Sequence, residues 1–345
     1  MTEPFFHNLN ENTSFLFHIY KVSYNGGDRL KKIFLFLIVS SIISLYACNQ
    51  DTYEPIKVNE PFVASINIID QSIQFFNVEK EQLAHWQFKE AITGAVLVAD
   101  EIVAVYGHQL TTIQMIELST GQVLKNIDVP IGTTNMYFDS YNENIYVTNN
   151  KTNELSIYSK EGEFVQSIRV KNYPMSMIAN EHYIYVINYK DTYLSVINKN
   201  SLEIEYEWAI PKSSHGIYIF KDELWIGGHG EGKEANKYVN IYDLHTGNLQ
   251  SAIELPIMPI GVAHLPYTYA VVSHGNSMVH VLDEEHQIIW EKQIGANPFA
   301  ITTFEQEFVI AGYDDHSLYF VSKEGVITQT LDVGKGPFQL IVRGR

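Results

Sequence analysis

Short apolar runs ended by polar turns dominate the chain from Phe62 onward. The clearest is Ile145-Tyr146-Val147, which passes into Thr148-Asn149-Asn150. Its β-branched and aromatic residues suit a strand, and it is too short for a buried helix. Similar runs begin at Phe62, Ile102, Tyr183, Leu224, Tyr269 and Glu307. Their spacing of about forty residues is the period of an array of small repeated sheets.

Each run leads to the same sequel. A polar turn is followed by a second run, such as Leu155-Ser156-Ile157-Tyr158, and then by a tight turn such as Thr120-Gly121, Glu161-Gly162, Thr246-Gly247 or Glu324-Gly325. Glycine there supplies the positive φ that hairpins demand. A more polar strand follows, as at 164–170. Next come a turn often holding proline (Pro174, Pro259, Pro298, Pro337) and an apolar strand such as Phe299-Ala300-Ile301. The units are 62–101, 102–143, 144–182, 183–223, 224–268, 269–306 and 307–345. With four strands in each, they predict an all-β fold, a seven-bladed β-propeller with four-stranded blades. No segment carries a convincing helical period. The last strand, 338–342, has no partner after it. It is predicted to become the innermost strand of the first blade beside 62–66, closing the ring and removing an open sheet edge.

The N-terminal pattern is different. Arg29, Lys31 and Lys32 precede an apolar stretch at 33–47, and Cys48, the single cysteine, follows at once. Basic residues, an apolar stretch and a small residue before the break describe a secretory signal peptide. The stretch is shorter than the roughly 20 residues a spanning helix needs. Leu45-Tyr46-Ala47-Cys48 resembles a bacterial lipobox, with Tyr46 larger than the usual residue there. The resemblance implies cleavage before Cys48, lipid (a palmitate-type chain) on its thiol and new amino group, and a place on the extracytoplasmic face of the cell membrane. Residues 30–47 are then the lipoprotein signal peptide. Residues 1–29 fit no signal peptide and are expected to be a gene-model extension; a Leu30 codon other than TTG or CTG would contradict that. Residues 48–61 are polar, hold Pro55 and Pro61, and read as a tether to a propeller at 62–345.

Tyr146-Val147-Thr148-Asn149, with Leu155-Ser156-Ile157 and the turn Pro259-Ile260-Gly261, resembles the YVTN-type repeat family of β-propellers. The likeness runs over nearly all of 62–345. It implies the fold and leaves the activity open, because members and relatives include surface proteins, binding proteins, and lyases or lactonases. Asp243-Leu244-His245-Thr246-Gly247 is similar to quinone-cofactor propeller repeats, but the regularly placed tryptophans of those repeats are missing, and no cofactor is expected.

Composition narrows the function classes. A formal charge of −17 repels phosphate backbones, so nucleic acid is not an expected partner. One cysteine allows no internal disulfide, so an exported fold rests on packing. No G-x-S-x-G elbow, H-E-x-x-H or paired-cysteine motif occurs. The loop 227–237 has four glycines but no nucleotide-binding spacing, and reads as an extended contact loop.

Projecting the repeat onto one face of a propeller gives a candidate ligand-binding face. After the second strands come His108, Asn149, Asn150, Tyr189, His229, His274 and Tyr313. At the entries to the inner strands come Thr93, Thr134, Met175, His215, Ile260, Phe299 and Phe338. His215, His229 and His274 fall together on adjoining blades. The expected role is binding of an envelope protein, peptide or small molecule on this axial face by a monomeric propeller held to the membrane through Cys48. The alternative is a lyase or hydrolase using His215, His229 and His274, with a divalent metal possible.

Overall fold

A computed structural model of the chain describes residues 52–231 and 233–344. Cys48, the signal peptide and residues 1–29 lie outside the described residues. Burial follows the hydrophobic pattern. The second strands, such as Phe62–Asn67 and Asn144–Asn149, are almost wholly buried, because each is covered on both faces by neighbouring blades. The outer strands, such as Phe164–Arg169, are mostly exposed. The inner strands, such as Pro298–Phe304, are part-buried around the axis.

Seven four-stranded antiparallel sheets result. The closure expected from the sequence is present: Pro337–Arg343 pairs antiparallel with Phe62–Asn67, from Phe62↔Arg343 to Asn67↔Pro337. It is the inner strand of blade 1. Blades 2 to 7 take their inner strands from Gly94–Val98, Thr133–Asp139, Pro174–Ala179, Ser214–Phe220, Pro259–Leu265 and Pro298–Phe304. Blade 5 carries an extra two-stranded ribbon, Gly230–Glu231 with Glu234–Ala235, between its second and third strands. Among the described residues the only helix is a single 3-10 turn, His274–Asn276, and no helix is long and apolar enough to cross a membrane.

Residues 52–61 differ from the expected tether. Tyr53 donates its N–H to the Gly121 carbonyl and its ring packs on Trp86 and Phe88. Ile56 is buried and donates to Leu118, while Trp86 Nε1 donates to the Glu54 carbonyl. The segment is a docked strap, because Tyr53 and Ile56 pack into the core of blades 1 and 2. Arg343, at the end of the closing strand, fixes the strap from the other side. Its guanidinium donates to the carbonyls of Glu60, Asp100 and Lys57 at 2.8, 3.0 and 2.7 Å, with Phe62 beneath it.

Candidate functional site

The chain enters the axial face in a repeated way. A residue with positive φ precedes six of the inner strands: Gly132, Tyr173, Ser213, Met258, Asn297 and Gly336. Four of these carry side chains, in a backbone region that costs L-residues roughly 1 kcal/mol or more. Two residues later the strand is bulged, so that Thr134, Met175, His215, Ile260, Phe299 or Phe338 falls at a break in the pairing register. A bulge re-aims a side chain, and six of the seven predicted entry residues are bulge residues for this reason. Gly94–Val98 pairs without a bulge, and Thr93 in that blade instead accepts the His108 N–H.

Three of these bulge residues and five residues of the turns beside them build an arc of rings. Tyr173 lies 6.0 Å from Tyr189, and Tyr189 lies 6.0 Å from His229. His229 meets His215 at 5.5 Å and His274 at 5.0 Å, each edge to face. Phe299 touches both His215 and His274, at 5.8 and 5.4 Å, and stacks on Phe338 at 4.5 Å. Tyr313 closes the arc at 6.3 Å from Phe299 and from Phe338. Blades 4, 5, 6, 7 and 1 all contribute.

The imidazoles are poorly satisfied. His274 Nδ1 faces Asn297 Oδ1 at 2.8 Å, but its Nε2 is buried with no partner. Nδ1 of His215 and of His229 is buried and unpartnered as well. Burial pushes the His215 imidazole down to about 3, and the neighbouring His229 and His274 push in the same direction. Burial, then His274, lowers His229 too. His215 and His229 are nevertheless only part-buried.

The other predicted residues divide. Asn149 is buried and its side chain is consumed by its own turn. It donates to the carbonyls of Pro130 and Ile131 and accepts from the N–H groups of Lys151 and Thr152. Asn150 Oδ1 is buried without a partner. No ring contact joins His108 to the arc. Tyr173 and Asn297 belong to the site and fall outside the projected positions, because they lie two residues before the entry residues Met175 and Phe299.

No protein-family model matches the sequence, and no curated protein does. Solved structures match the fold. A functionally unknown protein from Desulfotomaculum acetoxidans is 11% identical, with 82% of this chain and 99% of that one aligned at a TM-score of 0.70. Hydrazine synthase of Kuenenia stuttgartiensis is 12% identical over 80% of this chain and 97% of that one, at 0.67. A streptogramin B lyase is 16% identical over 82% and 92%, at 0.62. The chain is a seven-bladed β-propeller. At these identities the likeness carries the fold alone, and the neighbours' functions vary.

A general base works best with a pKa near the operating pH, and His215 is held far below that. Among the described residues no group of three or more His, Cys, Asp or Glu side chains is disposed to hold a metal ion. The three histidines come together as neighbouring rings, His229 edge to face with both His215 and His274.

Proposed function

We propose that this protein is a lipid-anchored, extracytoplasmic binding propeller whose ligand enters the axial mouth formed by Tyr189, His215, His229, His274, Phe299, Phe338 and Tyr313. One observation carries the reading. The arc gathers three imidazoles whose buried nitrogens lack partners, and each buried, unpaired polar group costs roughly 1–3 kcal/mol. A fold keeps such a cost where a ligand uses it. Continuous aromatic walls with a few convergent polar groups are the usual lining of a small-molecule or peptide pocket. The anchor rests on Cys48 and the lipobox-like residues before it.

Both parts are testable. A library of aromatic small molecules and short peptides is titrated against wild type and against a His215→Ala/His229→Ala/Phe299→Ala variant, with binding read by calorimetry. Ligands that bind wild type and lose at least tenfold in the variant support the mouth; ligands indifferent to the variant refute it. Cells grown with a labelled fatty acid should transfer the label to wild type and not to Cys48→Ala, and a label retained by Cys48→Ala refutes the anchor.

A further inference from the structure

The ring nitrogens of the arc indicate what kind of ligand it takes. In His215 and His229, Nδ1 is buried and has no partner, whereas Nε2 is not enclosed and has no protein partner among the described residues. A neutral imidazole carries one proton, and the partners of its two nitrogens decide where. An orphaned buried N–H is rarer than an under-satisfied buried acceptor. The proton therefore sits on Nε2 in both rings, and both present an N–H to the mouth. His274 is the opposite case: its Nδ1 donates to Asn297 Oδ1, which leaves Nε2 bare and enclosed against the other rings.

This part of the axial face thus offers two uncharged N–H donors near a stacked phenylalanine pair, Phe299 and Phe338. Both histidines resist protonation, so the donors stay neutral at ordinary pH. Among the described residues, the cation that lies over a ring of the arc is Lys190, 4.3 Å above Tyr173 at its far end. A formal charge of −17 disfavours anions in general. The acceptor that fits two neutral N–H groups here is uncharged, such as a carbonyl oxygen with its two lone pairs.

We infer that the axial mouth takes a neutral aromatic ligand bearing a carbonyl, its oxygen accepting from Nε2–H of His215 and His229 and its ring lying against Phe299 and Phe338. This inference rests on the reading of the mouth as a binding site. The probes are acetophenone and α-methylstyrene, which share a shape and differ in C=O against C=CH2, with benzoate as the charged comparator. Binding is followed by NMR of 15N-histidine-labelled protein, which also reports the tautomers of the free protein. Acetophenone is expected to shift the His215 and His229 resonances and to bind about tenfold tighter than α-methylstyrene, the worth of one good hydrogen bond in a closed site. Benzoate should bind more weakly than acetophenone. Substituting His215→Phe and His229→Phe should remove the difference between the two neutral probes and keep their ring-dependent binding. If neither neutral probe shifts the histidine resonances, the mouth itself fails as a binding site. If both bind equally, if benzoate binds tightest, or if Nδ1 carries the proton, the mouth stands and the carbonyl inference is overturned.

Discussion

Replacing Arg343 by methionine should loosen both ends of the propeller ring at once. Arg343 is 4% exposed, and its guanidinium donates to three carbonyls, of Glu60, Asp100 and Lys57. Two of them belong to the strap and one to blade 2. Hydrogen bonds to a charged group contribute roughly 1.5–3 kcal/mol each. The cost of burying the guanidinium offsets part of that, and burial does lower the Arg343 pKa against the opposing charges of Asp100 and Glu60. Methionine fills part of the volume over Phe62 but leaves three carbonyls without their donor. The net loss, by analogy with breaking a buried charged network, is about 3–5 kcal/mol. At about 2 °C per kcal/mol for a domain of this size, Tm should fall by about 6–10 °C. Arg343→Lys should fall between, since one ammonium cannot span three carbonyls. Scanning calorimetry measures the shift, and limited proteolysis of residues 52–61 should accelerate in parallel. A methionine variant within about 1 kcal/mol of wild type, with the strap still protected, would refute the latch, because the surface-like value for a substitution is about 0.5 kcal/mol.

Three further outcomes follow from the structure. The ion pair between Lys199 and Asp139 is nearly solvent-free, with side chains 5% and 1% exposed; Lys199→Met alone should cost about 3–5 kcal/mol in urea unfolding, and Lys199→Met with Asp139→Leu should recover much of it. The lowered pKa of His215 has a definite pH signature. Because the folded value, about 3, lies below the ordinary value of 6.5, the unfolded chain binds the extra proton between those values. Stability should therefore fall as pH drops from about 6.5 towards 3, with a limiting slope near 1.4 kcal/mol per pH unit for that group. In His215→Phe this share of the slope should vanish, and an unchanged slope would contradict the assignment. Gly121 has φ +69° and an added Cβ would lie 1.9 Å from the Tyr53 carbonyl, so Gly121→Ala should release the strap to protease and cost more than about 1 kcal/mol.

The sequence carried the blades because two periods coincide in it. Strand alternation and a forty-residue repeat both survive in residues such as Ile145-Tyr146-Val147, where burial on both faces favours apolar side chains. The closing strand was legible for a related reason: an apolar run at 338–342 without a successor has one free edge left to join. The His215, His229 and His274 grouping followed from counting positions within the repeat. What counting cannot show is side-chain direction at a turn. Asn149 occupies a face position, yet its amide is spent on four backbone groups of its own turn. Tyr173 and Asn297 adopt positive φ with ordinary side chains, and nothing in their identity announces it, although the proline that follows each is a usable signal. The strap is not legible in the sequence because Tyr53 and Ile56 are isolated in a largely polar segment, too few to mark a packing face without the core they fill.

The axial mouth is the centre of the account, and a fragment screen maps it most directly. Several hundred neutral aromatic fragments are titrated into isotope-labelled propeller and the perturbed residues located by NMR. The perturbations should converge on Tyr189, His215, His229, His274, Phe299 and Tyr313, and disappear in the His215→Ala/His229→Ala/Phe299→Ala variant. Fragments that gather on another face, or that bind that variant as well as wild type, would contradict it.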